Sequence, residues 1–348
     1  MADDDVMDQL GDGGSDPAVD EVERALHDQI AEIHARFADL DEGHIADYIP
    51  ELADASREHF GIAGVGTKGR VIEVGDTDVA FTIQSISKPF VYGLALEDHG
   101  RDGVLARVGV EPSGEAFNAI ELDEVSNRPF NPMINSGAIA TTSLVEGESQ
   151  VERLHRVITM LSTYAGRDLQ VDSATFFSER ATGDRNRAIA HLMRSSEMLP
   201  VADIDELLEL YFQQCSVLVT CRDLAMMAAT LANGGVNPVT GQRAIAQRYV
   251  KDVLSIMLSC GMYDYSGEWA YRVGVPAKSG VGGGITAVLP GQAGLAVFSP
   301  PLDAKGNSLR GIKVFEELSN RFSLHFMEVL FHNNTIGHAL DRAGAADG

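Results

Sequence analysis

The chain has 348 residues, 45% of them hydrophobic, which is enough for one large domain or two packed ones with ample core. It carries 51 acidic against 27 basic side chains, a formal charge of −24, so no basic face is expected to neutralise phosphates, and nucleic acid and anionic membrane surfaces are excluded as partners. No run of eighteen apolar residues occurs, so no membrane-spanning helix is expected.

The N-terminal residues Met1-Ala2-Asp3-Asp4-Asp5 lack the basic start and apolar stretch of a secretory signal, and a cytoplasmic location is the expectation. Cys215, Cys221 and Cys260 are odd in number and set in apolar or helical sequence, which points to reduced thiols. Ten histidines are scattered without H-E-x-x-H spacing, and no metal site is expected. Basic residues are mostly arginine, with only six lysines. An acidic, lysine-poor surface suits concentrated salt, where repulsion between carboxylates is screened; GC-rich coding would give the same arginine preference.

Taken in order, residues 1–19, rich in Asp and Gly, read as a disordered tail. Apolar positions from Val22 to Phe37 recur at helical spacing, predicting a helix over 19–40, and a second short helix is expected to start near His44 and hold Ile45, Tyr48 and Leu52 on one side. Residues 60–65 and 71–75 then read as a strand pair joined by the polar turn Thr67-Lys68-Gly69-Arg70. That turn contains a G-x-G-x-x-G match from Gly64 to Gly69, but a strand follows where dinucleotide binding requires a helix, so that reading is rejected. A strand over 79–83 leads into a helix starting near Ser85. Six helices are predicted over 135–145, 151–164, 184–194, 203–215, 222–232 and 244–258. Strands return at 275–280, 285–289 and 294–298, and a last helix is expected over 309–322.

This order implies an α/β (α+β) fold with a mainly antiparallel sheet built from both chain ends, flanking helices and an inserted all-helical domain. The expected divisions are 1–19 as tail, 20–84 with 260–335 as the sheet domain, 85–259 as the helical domain and 336–348 as a C-terminal tail. Ser85 would lie where the two domains meet, a usual place for a pocket.

The chemistry centres on Gln84-Ser85-Ile86-Ser87-Lys88. Ser85 and Lys88 are three residues apart and share one helix face, and Pro89 fits a first helical turn. A serine nucleophile beside a lysine proton acceptor is S-x-x-K chemistry, and helix-start N–H groups suit an oxyanion. The same residues also read as an N-cap with a solvated first-turn lysine. Lys278-Ser279-Gly280 matches the K-[ST]-G strand that accompanies S-x-x-K in serine hydrolases, or else it is a plain glycine-rich turn. Asn135, Glu179, Tyr211 and Tyr263 are polar residues set in apolar or aromatic sequence. Taken singly, each reads better as a cap, a salt-bridged carboxylate or a core tyrosine than as a site residue.

Several ordered blocks together resemble the serine-dependent glutaminases, L-glutamine amidohydrolases with a β-lactamase/penicillin-binding-protein-like fold. They include Ala46-Asp47-Tyr48-Ile49-Pro50, the Ser85 block, Glu111-Pro112-Ser113-Gly114, Asn131-Pro132-Met133-Ile134-Asn135, Gly183-Asp184-Arg185-Asn186, Cys260-Gly261-Met262-Tyr263-Asp264, Pro276–Val281 and Ser299–Asp303, and the resemblance spans residues 45–311. It implies Ser85 as nucleophile, Lys88 as base and Tyr263 as a second proton-transfer group. It further implies substrate contacts at Asn135, Glu179, Asn186, Tyr211, Tyr263 and the Val281 backbone, with Tyr48 and Gln84 lining the pocket. No cofactor is implied, and a homodimer or homotetramer is. A penicillin-recognising hydrolase would need an S-x-N or Y-x-N triplet, which is absent from the chain. A non-catalytic relative would be expected to have lost Ser85 or Lys88.

Overall fold

The computed structural model describes residues 17–47, 49–114, 118–119, 122–199 and 203–329. Helix α1 (Pro17–Phe37) takes in the last three residues of the expected tail, most of which lies outside the described residues, as does the C-terminal tail over 336–348. The helix expected from His44 does not form. His44 is extended and exchanges backbone hydrogen bonds with Leu302, and only the single turn α2 (Pro50–Ala53) is helical. Pro50 accounts for this, because proline pushes the residue before it into extended backbone, and Ile49 sits at φ −114°, ψ 111°.

Strands β1 (Gly61–Gly66) and β2 (Val71–Gly75) form the antiparallel hairpin read from the sequence. Gly69, at φ +81°, turns the chain between them, so the G-x-G-x-x-G match is a hairpin corner. The strand expected over 79–83 shrinks to β3 (Phe81–Thr82) and leads through one 3₁₀ turn (Gln84–Ser87) into α3 (Lys88–Leu105). The middle of the chain is helical: α4 (Asn135–Thr142), α5 (Gln150–Ala165), α6 (Ser173–Thr182), α7 (Asp184–Ser195) and α8 (Ile204–Cys215). Next come β4 (Leu218–Val219), α9 (Cys221–Ala232), α10 (Gln247–Cys260), a 3₁₀ turn (Tyr263–Tyr265) and α11 (Ser266–Arg272). The chain then returns to the sheet as β5 (Ala277–Gly280), β6 (Gly284–Leu289) and β7 (Ala293–Phe298), followed by α12 (Leu309–Phe322) and α13 (Phe326–Val329). Of these, α6, α11, α13 and β4 are absent from the sequence reading.

The sheet has the order β2-β1-β7-β6-β5 and every pairing is antiparallel, so the N-terminal hairpin and the C-terminal strands meet at β1 and β7. The period-2 pleat sorts its two faces. Ile62 and Val297 are register partners packed in a cluster with Ile30, Ile33, Phe315 and Leu318 of α1 and α12. Ala63 and Ala296, the next pair, face the cluster built from α3, α5, α9 and α10. Helix α9, inside the 85–259 segment, lies directly on the sheet. A Cβ added at Gly294 of β7 would fall 2.1 Å from the Ala229 nitrogen, so only glycine admits that approach. β3 pairs outside the main sheet, with β4. That small ladder, with Ile83 N–H bonded to Val217 O at 2.8 Å, delivers the Ser85 turn to the junction of sheet and helices.

Candidate active site

The turn over 84–87 opens on an unfavourable backbone. Gln84 has φ 51°, left-handed, and is not glycine. Its side chain explains the residue type: the Gln84 amide hydrogen-bonds Glu179 and reaches Thr82 Oγ1 at 3.2 Å. Tyr263, the other strained position beside Ser85, has φ 55° and a buried phenol that lies against Ser85. Strain of this kind persists where the surroundings over-determine the conformation, and it collects at active sites.

Ser85, 7% exposed, lines a cavity of about 180 Å³ together with Gln84, Asn135, Glu179, Asn186, Tyr211 and Val281. Lys88 lies one turn behind it, 1% exposed, so the solvated-lysine reading fails. Its Nζ donates to Asn135 Oδ1 at 2.7 Å and to Met133 O at 3.3 Å. Burial lowers its pKa from 10.5 to about 8, against the opposing pull of Cys215 and Glu179.

The lysine also orients the amides beyond it. An ammonium can only donate, so Asn135 must present Oδ1, and its Nδ2 then donates to Asn186 Oδ1 at 3.0 Å. The remaining donor, Asn186 Nδ2, belongs to a residue that lines the cavity. Asn135 is the first residue of α4, and Asn186 stands in the first turn of α7.

Glu179 projects from α6, the helix that sequence periodicity missed. Burial raises its carboxyl from 4.5 to about 7, with the Gln84 hydrogen bond and Lys88 working the other way and Glu51 adding to the rise. Glu179 and Asn186 are not on one continuous helix. Gly183 (φ −78°, ψ 22°) separates α6 from α7, where a Cβ would sit 2.4 Å from the Phe212 ring, yet both side chains reach the same cavity.

Tyr211 on α8 is buried and its phenol is pushed well above 10 by that burial. Cys215, one turn on, also lines the cavity, a site position that its sequence reading as a reduced thiol does not include. Burial and Glu179 push its thiol up to about 12, which keeps it protonated and removes it as a nucleophile. Its signal was present as the i, i+4 partner of Tyr211.

On the sheet side, β5 runs against the Ser85 turn. A Cβ at Gly282 would lie 2.8 Å from Thr82 O, and Val281, in the β5–β6 turn, closes the cavity wall. Lys278 is wholly buried, donates to Ser279 O at 2.7 Å and holds its Nζ 4.2 Å from the Tyr263 ring centroid. Burial and the neighbouring Lys88 drive its pKa well below 10.5. Tyr48 lies outside the described residues. Among the described residues no group of three His, Cys, Asp or Glu side chains could hold a metal ion, and all three cysteines are free and buried.

A buried Ser–Lys pair facing a cavity with one high-pKa carboxylate and a string of amides has the parts for acyl transfer from a small zwitterionic amide. Comparison with known proteins bears on that directly. The family model described as Glutaminase matches residues 43–327. A glutaminase of Trichormus variabilis is 61% identical over 299 residues, covering 86% of this chain and 89% of that protein. One of Corynebacterium glutamicum is 46% identical over 317 residues, 90% of this chain and 76% of that protein. Among solved structures, Mglu in its glutamate form superposes with a TM-score of 0.83 at 47% identity, over 87% of this chain and 70% of that one. Probable glutaminase ybaS gives 0.83 at 40% identity, over 87% of this chain and 98% of that one. The architecture is the β-lactamase-like one of these neighbours, and the chain belongs to the glutaminase family.

Proposed function

We propose that this glutaminase hydrolyses L-glutamine through a γ-glutamyl ester on Ser85, with Lys88 as the base. The observation that carries the reading is Lys88 itself, an amine with no exposure to speak of, hydrogen-bonded to Asn135 and held near pKa 8 one turn from a buried serine. A lysine in that state is neutral often enough at mild alkaline pH to accept the serine proton.

Glutamine enters with its α-ammonium toward Glu179, the one carboxylate among the described residues that line the cavity, and its α-carboxylate toward donors from Asn186 and Tyr211. The γ-carboxamide then faces Ser85. As Ser85 Oγ attacks the carbonyl carbon, its proton passes to Lys88 Nζ, and the N–H groups of Ser85 and Val281 hold the oxyanion. Collapse breaks the C–N bond. The departing nitrogen takes a proton from Lys88, by way of Tyr263 where the phenol bridges, and leaves as ammonia. Water then attacks the ester with Lys88 again as base, Ser85 recovers its proton, and glutamate is released. The strain at Gln84 and Tyr263 supports this assignment, since both residues hold side chains against Ser85 or Glu179 at a backbone penalty.

The decisive experiment is Ser85→Ala with mass spectrometry of rapidly quenched wild type. Wild type is expected to gain the mass of one glutamyl group on the peptide carrying Ser85, and the alanine variant to lose turnover by several orders of magnitude. More than about one percent of wild-type kcat in the variant would show that another group attacks.

The same reading places the protein in the cytoplasm as a homodimer or homotetramer, working without cofactor or metal. Among the described residues no helix is long and apolar enough to cross a membrane. Light scattering on the purified protein tests the assembly.

A further inference from the structure

A polar strut runs beneath the Ser85 turn and takes no part in the chemistry above. Ser87, 0% exposed, donates its hydroxyl to the Gln84 carbonyl at 2.8 Å. The same hydroxyl is approached by Gln214 Nε2 at 3.5 Å and lies beside the Cys215 thiol, both from α8. Gln214, also 0% exposed, holds its Oε1 3.0 Å from Thr142 Oγ1, whose single O–H is shared between that oxygen and Ala138 O at 2.8 Å. Two helices of the helical region are thus joined by side chains to one backbone carbonyl, that of the strained residue Gln84.

The position of that carbonyl matters because a peptide unit is rigid and planar. The Gln84 C=O and the Ser85 N–H belong to the same trans unit and point in opposite directions. Whatever fixes the carbonyl fixes the N–H, and it also fixes Gln84 at φ 51°, from which its amide reaches Glu179. A residue with a Cβ would relax out of the left-handed region if nothing held it there.

We propose that Ser87, braced by Gln214, is a positioning residue for the glutaminase reaction: by holding the Gln84 carbonyl it keeps Gln84 left-handed and aims the Ser85 N–H at the oxyanion. The proposal rests on the reading of Ser85 as nucleophile.

The test is a double-mutant cycle on the full chain, reading ammonia release from L-glutamine at fixed pH. Ser87→Ala is expected to lower kcat/KM at least about fivefold, the effect of one buried hydrogen bond. Made in a Gln84→Gly background, the same change should cost less than about twofold, because glycine holds a positive φ without a brace. An equal loss in both backgrounds would mean that Ser87 acts only through packing and would overturn the proposal. Gln214→Leu, which withdraws the brace without touching the turn, supplies an arm that does not depend on Ser87→Ala folding. It must lower kcat/KM severalfold, and an unchanged value overturns the proposal. Ser85→Ala run alongside separates the two levels: activity surviving there defeats the nucleophile assignment, whereas activity surviving only in the Ser87 and Gln214 variants defeats the brace alone.

Discussion

Glu179→Gln is expected to make the protein more stable and less able to bind substrate, and the size of the first effect can be worked from the fold. The Glu179 carboxyl titrates at about 7 in the folded protein against 4.5 ordinarily, chiefly because it is buried. Between those pH values the unfolded chain has lost the proton and the folded one still holds it, so stability falls as pH rises through that window and is level above it. Keeping the charged form buried therefore works against folding by on the order of 3 kcal/mol above about pH 8. Glutamine is nearly isosteric, cannot ionise and can still accept from the Gln84 amide. Its stability advantage over wild type should be near zero at pH 4.5, grow through pH 5 to 7 and level off by pH 8. Urea denaturation of both proteins at pH 5, 6, 7 and 8 measures this, and taking the difference cancels the titrating groups that do not sense Glu179, while Lys88, which does, titrates at the upper end of the range. A difference that does not change with pH, or a variant less stable at pH 8, would refute the reasoning. In the same variant KM for L-glutamine should rise by a factor corresponding to roughly 2–4 kcal/mol, the penalty for burying an ammonium without its counter-charge. Glutamine amides lacking the α-amino group should be affected much less.

Lys88→Arg should be nearly inactive, because guanidinium cannot give up its proton, while wild-type kcat/KM should rise with pH through about 8; a fully active arginine variant would exclude the base role. Lys278 is pushed down by burial and by Lys88, whereas the lowering of Lys88 comes from its own burial, so Lys278→Met should leave the alkaline rise of kcat/KM where it is, and a rise moved by about a pH unit or more would show that Lys278 sets the Lys88 proton affinity. From the charge of −24, melting temperature and activity should hold or rise between low salt and molar NaCl, and a steady fall in both would rule out salt adaptation.

Much of this was legible in the chain because it is local. Hairpin chemistry around Gly69, apolar periodicity in α5, α8, α9 and α12, and the three-residue spacing of Ser85 and Lys88 are set by neighbours in sequence, and the structure reproduces them. The ordered blocks around Ser85, Asn135, Tyr263 and Lys278 were enough to place the chain in its family. Helix α6 was not legible: its N-cap Asp172 is an ordinary signal, but its apolar content is the adjacent pair Phe176 and Phe177, the second of them 59% exposed, which has no helical period. The false helix at His44 failed for the opposite reason, a plausible period overruled by Pro50 and by pairing with Leu302.

What tertiary structure alone decided is the electrical state of the site. Sequence motifs single out Lys88 and Lys278 among the six lysines, and Glu179 stands between serine and arginine, but nothing in those motifs says how tightly each group holds its proton. Their proton affinities come from burial beneath α4, α6, α8 and β5, elements far apart in the chain, and desolvation depends on what packs around a group in space. The left-handed backbone at Gln84 and Tyr263 is of the same kind. Sequence discourages such a conformation in residues other than glycine, and only contacts made after folding hold it in place.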